Sequence, residues 1–258
     1  MNVMTANLLA GKKIVVMGVA NQKSIAWGCA QAIEALGGQA ILTYQNDRMK
    51  QSLNRFVDDD MLLFECDVAE DDNVEATFAA IHEKVGNIDG VVHAIAYADR
   101  DTLQNGVVNT KKAGFNLAQD ISAYSLISVT RAASKIMNET GSIVTMTYMG
   151  STYAITNYNM MGIAKASLES EMRYLAVEMG KQNVRVNAVS AGAVRTLAVT
   201  GVKGHGELLK TSESLTTDGK SVTKAEIGNT VAFLLSDLAS GITGDVIYAD
   251  KGVHLFNT

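Results

Sequence analysis

Tyr158 and Lys165 lie seven residues apart in the run Asn157-Tyr158-Asn159-Met160-Met161-Gly162-Ile163-Ala164-Lys165. On an α-helix that spacing is a rotation of about 700°, so the two side chains leave nearly the same face two turns apart. A phenol donor and a fixed ammonium facing one cleft suit proton donation or oxyanion stabilisation beside a bound ribose. The plainer reading of the same pair is a surface Tyr and Lys on an amphipathic helix. A second phenol, Tyr148, follows the apolar run 142–147 just upstream.

A different chemistry is legible near the N-terminus. Gly18 closes the first apolar run and leads through Val19-Ala20-Asn21-Gln22-Lys23 to Ser24 and Ile25. A helix starting there offers free N–H groups and a positive dipole end to a pyrophosphate. The spacing is not Gly-x-Gly-x-x-Gly, so a simple strand-capping turn is the alternative. Ser24 is the natural N-cap, its hydroxyl available to a backbone N–H or to a phosphate oxygen. Gln45 ends the second run, where NAD enzymes of this architecture carry an acid and NADP enzymes a basic group. A neutral Gln there leans toward NADH, with Arg48 near the same pocket. Asp67 follows the third run, where its carboxylate could read an adenine amino group or cap the helix before Glu70 and Asp71; both roles can coexist.

Seven strand candidates must position these groups: residues 13–18, 39–44, 61–66, 88–95, 142–147, 184–189 and 245–249. Several are continuously apolar, as expected of strands covered on both faces. Helical periodicity fills the gaps at 25–36, 48–57, 73–85, a long stretch 112–137, 158–180 and 223–236. This alternation predicts a Rossmann-like, doubly wound α/β fold: a seven-stranded parallel sheet with helices on both faces, forming one domain over residues 1–258. The interval 196–221, rich in Gly and with only a short helix near 207–210, is expected to be a mobile segment covering a substrate.

Composition narrows the partners. The 258 residues carry 22 Lys+Arg against 27 Asp+Glu, a net charge of -5 without a basic block, which excludes the electrostatic footprint of a nucleic-acid binder. No apolar stretch approaches the roughly 20 residues that span a bilayer, and no basic-then-apolar leader opens the chain, so no membrane partner and a cytoplasmic location are expected. Cys29 and Cys66 sit in apolar runs and read as buried thiols in a reducing compartment. The four histidines show no metal-ligand spacing, and His93 reads as a hydrogen-bonded structural residue. There is no proline at all, so turns must rely on Gly, Asn and Asp.

Taken together, Gly18-Val19-Ala20 through Ser24-Ile25-Ala26, Tyr44-Gln45-Asn46, Cys66-Asp67-Val68, Gln119-Asp120-Ile121-Ser122, the 158–165 run and Asn187-Ala188-Val189-Ser190-Ala191-Gly192 resemble the NADH-dependent enoyl-acyl-carrier-protein reductases of bacterial fatty-acid synthesis. These are a divergent branch of the short-chain dehydrogenase/reductases, and the likeness spans essentially the whole chain. Carbonyl reductases of the wider class place their Tyr four residues before the Lys; here that position is Met161, which donates no proton. The resemblance implies Tyr158, Lys165 and Tyr148 as the catalytic set, with Tyr148 either a second relay group or a wall of the acyl pocket. It implies that Tyr158 hydrogen-bonds the thioester oxygen, and that Lys165 orients the cofactor and lowers the phenol's pKa.

By position, the resemblance further implies that Gly18, Ser24 and Ile25 bind the pyrophosphate end of NADH, Gln45 the adenosine, and Asp67 and Val68 the adenine. Ile95 would line the nicotinamide and Ala98 the acyl thioester. Lys165 would hold the ribose hydroxyls, and Val194, Arg195, Thr196, Leu197 and Ala198 would border the nicotinamide. An acyl carrier protein is the implied partner and a homotetramer the implied assembly; an acidic carrier would favour basic groups near the covering segment, where Lys203 and Lys210 are docking candidates and a solvated surface is their plainer role. Family prolines are replaced by Thr156 and Ala193. Other short-chain reductases acting on a ketone or activated alkene, and a non-catalytic dinucleotide-sensing module, are the competing readings.

Overall fold

The computed structural model describes residues 7–196 and 205–256. Seven strands, β1 (Lys13–Met17), β2 (Gln39–Tyr44), β3 (Leu62–Glu65), β4 (Ile88–His93), β5 (Met137–Thr147), β6 (Arg185–Ala191) and β7 (Val246–Ala249), form one sheet in the order β3-β2-β1-β4-β5-β6-β7. Every pairing is parallel. Strand order reverses between β1 and β4, the topological switch point where α/β sheets open a crevice at the strands' carboxyl ends.

Alternate residues of each strand feed separate cores. Ile14, Val16, Ala40 and Leu42 pack under α1 (Ile25–Ala35). Val15, Met17 and Ile41 pack on the opposite side, under α3 (Asp71–Val85) and its neighbours. A strand buried on both faces has no polar side, which is why the sequence runs are continuously apolar. The remaining helices are α2 (Asp47–Leu53), α4 (Arg100–Gln104), α5 (Lys112–Gln119), α6 (Ser125–Ser134), α7 (Asn159–Met179), α8 (His205–Leu215) and α9 (Lys224–Leu235). Thr223 and Glu226 close a reciprocal capping box at the start of α9.

Three expectations need correction. The single helix at 112–137 is interrupted by a π-helical turn, Asp120–Tyr124, and ends at Ser134. Met137 already belongs to β5, which starts five residues earlier than the apolar run indicates. Ile88 pairs with Met137 and Gly90 with Ser142, so four residues of β5 oppose Asp89 alone in a wide bulge. The Asp89 carboxylate holds it, accepting from Asn138 Nδ2 at 2.9 Å and from Lys13 N at 2.7 Å. Finally, the described part of the interval 196–221 is largely the eleven-residue helix α8 rather than a short turn.

Cys29 and Cys66 are free and buried, and burial raises their thiols to about 12 and about 11. Among the described residues no helix is long and apolar enough to cross a membrane, and no cluster of three His, Cys, Asp or Glu could hold a metal ion.

Candidate active site

The chemistry-bearing positions gather where the strands end. Gly18 follows β1 with φ +90, and a Cβ there would lie 2.1 Å from the Ala94 carbonyl oxygen just beyond β4. Only glycine allows both the left-handed conformation and this close approach. The approach frames a cleft of about 560 Å³ whose walls include Gly18, Gln45, Asp67, Val68 and Ile95. Five of the cofactor residues read from sequence are therefore brought together.

At the far end of the cleft the Gln45 amide points to the Asp67 carboxylate, with Nε2 3.4 Å from each oxygen. Asp67 Oδ1 accepts from Ala69 N at 3.2 Å, and Asp67 N donates to Asn73 Oδ1 at 2.7 Å. The N-cap position of α3 is Glu70, so the capping alternative for Asp67 does not hold. Arg48 is exposed and forms none of the cleft wall; Met49 stands there instead. Among its lining residues the wall thus carries one carboxylate and no cation; the Lys50 ammonium stands 5.5 Å from the centroid of the Tyr44 ring, which lines the cleft.

Ser24 occupies the N-cap of α1 in extended conformation, as expected, but its hydroxyl donates back to the Asn21 carbonyl at 2.7 Å rather than capping the helix. The first turn of α1, beginning at Ile25, therefore has neither a side-chain cap nor an acidic residue, and its N–H groups and dipole are left for an anion. Arg195 and Thr196 line a second cavity of about 630 Å³ with Asn21, Gln22 and Lys23. Val194 is half-buried against the core beneath α1, and Ala98 is half-buried in the segment after β4. Leu197, Ala198 and Lys203 lie outside the described residues, and Lys210 is exposed on α8.

The second cluster stands on β5 and α7. Asn157 takes φ 63, and this left-handed turn delivers Tyr158 to the N-cap of α7. Asn159 anchors the helix start by donating to the carbonyls of Leu103 and Asn105 at 2.8 and 2.9 Å. Two turns on, Lys165 is 5% exposed and donates to the Met146 carbonyl of β5 at 2.8 Å. Burial brings its ammonium down to about 8, with Glu169, one turn further along, opposing the shift. The surface alternative for the Tyr–Lys pair is thereby excluded.

Tyr148 and Tyr158 meet ring edge to ring face with centroids 5.0 Å apart. Gly150 makes room: a Cβ there would sit 2.5 Å from Tyr158 Cδ1. Gly162 lets α7 approach, since its Cβ would lie 2.6 Å from the Gly150 oxygen. The phenols are not acidified. Burial, then the neighbouring Tyr148 and Glu169, raise Tyr158 above the usual phenol range, while burial and Asp250 raise Tyr148. The expectation that Lys165 lowers the Tyr158 pKa is corrected: the ammonium is turned to the Met146 carbonyl, and the Glu169 carboxylate, which accepts from Thr147 Oγ1 at 2.6 Å, works the other way. Both phenols are protonated hydrogen-bond donors at neutral pH.

His93 is fully buried, as the structural reading expects. Its Nδ1 lies 2.9 Å from Thr145 Oγ1 and its Nε2 2.9 Å from Ser125 Oγ. Burial and the Lys165 charge hold it neutral, with a pKa lowered to about 3. Ser125 gives its own proton to the Ile121 carbonyl at 2.7 Å, so it accepts from Nε2–H, while the Thr145 hydroxyl lies between Nδ1 at 2.9 Å and the His93 carbonyl at 3.3 Å. Asn159, Glu169, Gly150 and Gly162 escape sequence reasoning. A carboxylate on a helix reads as a solvated face, and a glycine beside a phenol carries no period.

A doubly wound parallel sheet with a nucleotide cleft at its switch point, and a Tyr and a buried Lys leading one helix beside it, define a short-chain dehydrogenase/reductase. Residues 18–254 match the family described as Enoyl-(Acyl carrier protein) reductase. The chain is 56% identical to the enoyl-acyl-carrier-protein reductase (NADH) of Enterococcus faecalis, across 96% of this chain and 99% of that one. It is 45% identical to the enoyl-acyl-carrier-protein reductase (NADPH) of Staphylococcus aureus, across 95% and 98%. The crystal structure of the Bacillus cereus enoyl-acyl carrier protein reductase with NADP+ and indole naphthyridinone is similar at a TM-score of 0.93 and 44% identity, covering 97% and 99%. The chain belongs to the enoyl-acyl-carrier-protein reductase family.

Proposed function

We propose that the protein reduces the carbon–carbon double bond of trans-2-enoyl thioesters on acyl carrier protein, using NADH, the last step of fatty-acid elongation. The observation that carries this reading is the pair of protonated phenols, Tyr148 against Tyr158, with Met161 at the position four before Lys165. The short-chain carbonyl reductases carry the Tyr that protonates the ketone oxygen at that position, and a thioether cannot give a proton. An enoyl thioester needs its oxygen stabilised while the β-carbon is reduced, which a phenol approaching from position 158 suits.

The cleft fits a dinucleotide: a glycine cradle that a Cβ would fill, an uncapped helix N-terminus, and a Gln–Asp pair at the far end. When bound, NADH supplies the hydride for the β-carbon. Tyr158 donates a hydrogen bond to the thioester oxygen as negative charge develops there, an interaction typically worth about 3–4 kcal/mol in the transition state. Its raised pKa suits that role, because the proton stays on the phenol in the resting enzyme. Tyr148 holds the Tyr158 ring and walls the acyl side. Lys165, buried and positively charged below about pH 8, holds the nicotinamide ribose hydroxyls.

NADH is favoured over NADPH because a 2′-phosphate at the β2 and β3 ends would face Asp67 with no cation on the cleft wall. The relatives lean the same way: the NADH-named reductase of Enterococcus faecalis is 56% identical, while the NADPH-named one of Staphylococcus aureus is 45% identical. An acyl carrier protein is the partner, with Lys210, exposed on α8, as a docking contact, and the protein works as a cytoplasmic homotetramer. Reduction of crotonyl thioester with NADH deuterated at the transferring position tests the reading: one deuterium on carbon 3 of butyryl thioester supports it, and no labelled butyryl product rejects it.

A further inference from the structure

The π-helical turn Asp120–Tyr124 itself contains neither Gly nor Pro, and the one glycine of the helical run it interrupts, Gly114, stands six residues before it, so no backbone breaker lies in the turn. Such turns inside helices gather at functional sites because they re-aim side chains. Here the side chains it re-aims reach two walls of the cofactor cleft. Ser122 is fully buried, and its hydroxyl accepts from Tyr97 N and donates to Tyr97 O, both at 2.8 Å. Tyr97 belongs to the irregular segment after β4 that also carries Ile95 and Ala98. Ile121, its neighbour in the turn, lines the same cleft as Ile95 and Tyr97. Tyr124 O–H donates to Asp71 at 2.7 Å, in the first turn of α3 and four residues past Asp67.

A single hydroxyl that binds both the N–H and the C=O of one residue acts as a strand partner one residue long. It fixes that peptide in height and tilt. The segment 94–98 is in no sheet or helix; its first two residues, Ala94 and Ile95, pack against the cores on either face of the sheet, and Ala94 lies close to Gly18. With two fixed points, one at Ala94 against Gly18 and one at Tyr97 on Ser122, the backbone between them has little freedom to close or open the cleft.

We infer that Ser122 is a positioning residue for the cofactor cleft, placed by the π turn so that its two bonds to Tyr97 set where Ile95 and Ala98 stand. The inference rests on the reductase reading above, but its test measures NADH binding without turnover, so the two can fail separately. Ser142→Ala is the control, because Ser142 also loses a buried bond, 2.9 Å to the Leu234 carbonyl, remote from the cleft.

Calorimetric titration with NADH should show Ser122→Ala weakening binding about tenfold, as loss of a buried hydrogen-bond pair predicts. Ser142→Ala should lower Tm while leaving NADH affinity unchanged, and Ser122→Thr, which keeps the hydroxyl, should stay near wild type. In the unmodified protein, amide exchange at Tyr97, whose residue is 52% exposed, should be slower than at Ala96 and Ala98. Unchanged affinity in Ser122→Ala, an equal loss in Ser142→Ala, or an unprotected Tyr97 amide overturns the inference. If Ser122→Ala does not fold, the exchange measurement and Ser122→Thr decide alone.

Discussion

The Tyr148 and Tyr158 rings cross at 70° with their centroids 5.0 Å apart, each phenol fixing the other's position. Edge-to-face aromatic pairs contribute roughly 0.5–1.5 kcal/mol beyond the area they bury. Here the contact also fixes geometry, since Tyr158 stands at the N-cap of α7 on a left-handed turn rather than inside the helix.

Tyr158→Phe keeps the ring and removes the donor. Its kcat with an enoyl thioester should fall about 10²–10³-fold, with NADH affinity unchanged. Tyr148→Phe, which keeps the aromatic contact, should lose far less. Steady-state kinetics paired with NADH titration reads both; a Tyr158→Phe variant at wild-type kcat would remove the phenol from the reaction.

Gly150→Ala should act through the same ring. The new Cβ would meet Tyr158 Cδ1 at 2.5 Å and Cε1 at 2.8 Å, so the phenol must move. Displacement by about 1 Å costs on the order of 100-fold in rate. The prediction is a large fall in kcat with NADH affinity preserved, and an unchanged kcat would mean the ring has room that the structure does not show.

Lys165 sets a pH dependence of known sign. Its folded pKa, about 8, lies below the ordinary 10.5, so the folded state releases a proton that the unfolded chain keeps between those values. Burying the charged form costs stability at neutral pH, and the cost is relieved as pH rises from about 8 to 10.5. The ammonium that holds the ribose is lost over the same window. The value of kcat/KM for NADH should therefore decline above about pH 8 while this group's contribution to stability increases. A flat kcat/KM profile up to pH 10 would contradict this; Lys165→Met should abolish the limb together with most of the activity.

Cofactor choice should yield to one charge. Gln45→Arg places a guanidinium beside Asp67, where the wall carries no cation. The ratio of kcat/KM for NADPH over NADH should rise about 10–100-fold, the range of a hydrogen bond to a charged group. Competition assays with both cofactors measure it. An unchanged ratio would place the 2′-phosphate elsewhere.

The sheet is largely legible in sequence because burial on both faces leaves an unmistakable apolar run; β2 has the limits read from its residues, Gln39–Tyr44. β5 is misread at its start because the bulge strand Met137-Asn138-Glu139-Thr140-Gly141 is polar, and its hold, the Asp89 carboxylate, comes from another strand. The π turn is hidden because α and π turns present the same apolar residues, and only the contacts of Ser122 and Tyr124 distinguish them. Gly18, Gln45, Asp67 and Lys165 are readable since each sits at a strand end or a fixed helical offset. Glu169 is not, because its role comes from facing Thr147 and the two titrating side chains across the β5–α7 contact. The direction of the Tyr158 shift is likewise invisible until those neighbours are known.

The most direct test is the rate of NADH oxidation with crotonyl thioester and, in parallel, with acetoacetyl thioester. Tyr148, Tyr158 and Met161 around Lys165 predict oxidation with the enoyl substrate and none above background with the ketone. Oxidation with the ketone alone, or silence with both while NADH still binds, would contradict enoyl reduction at this site.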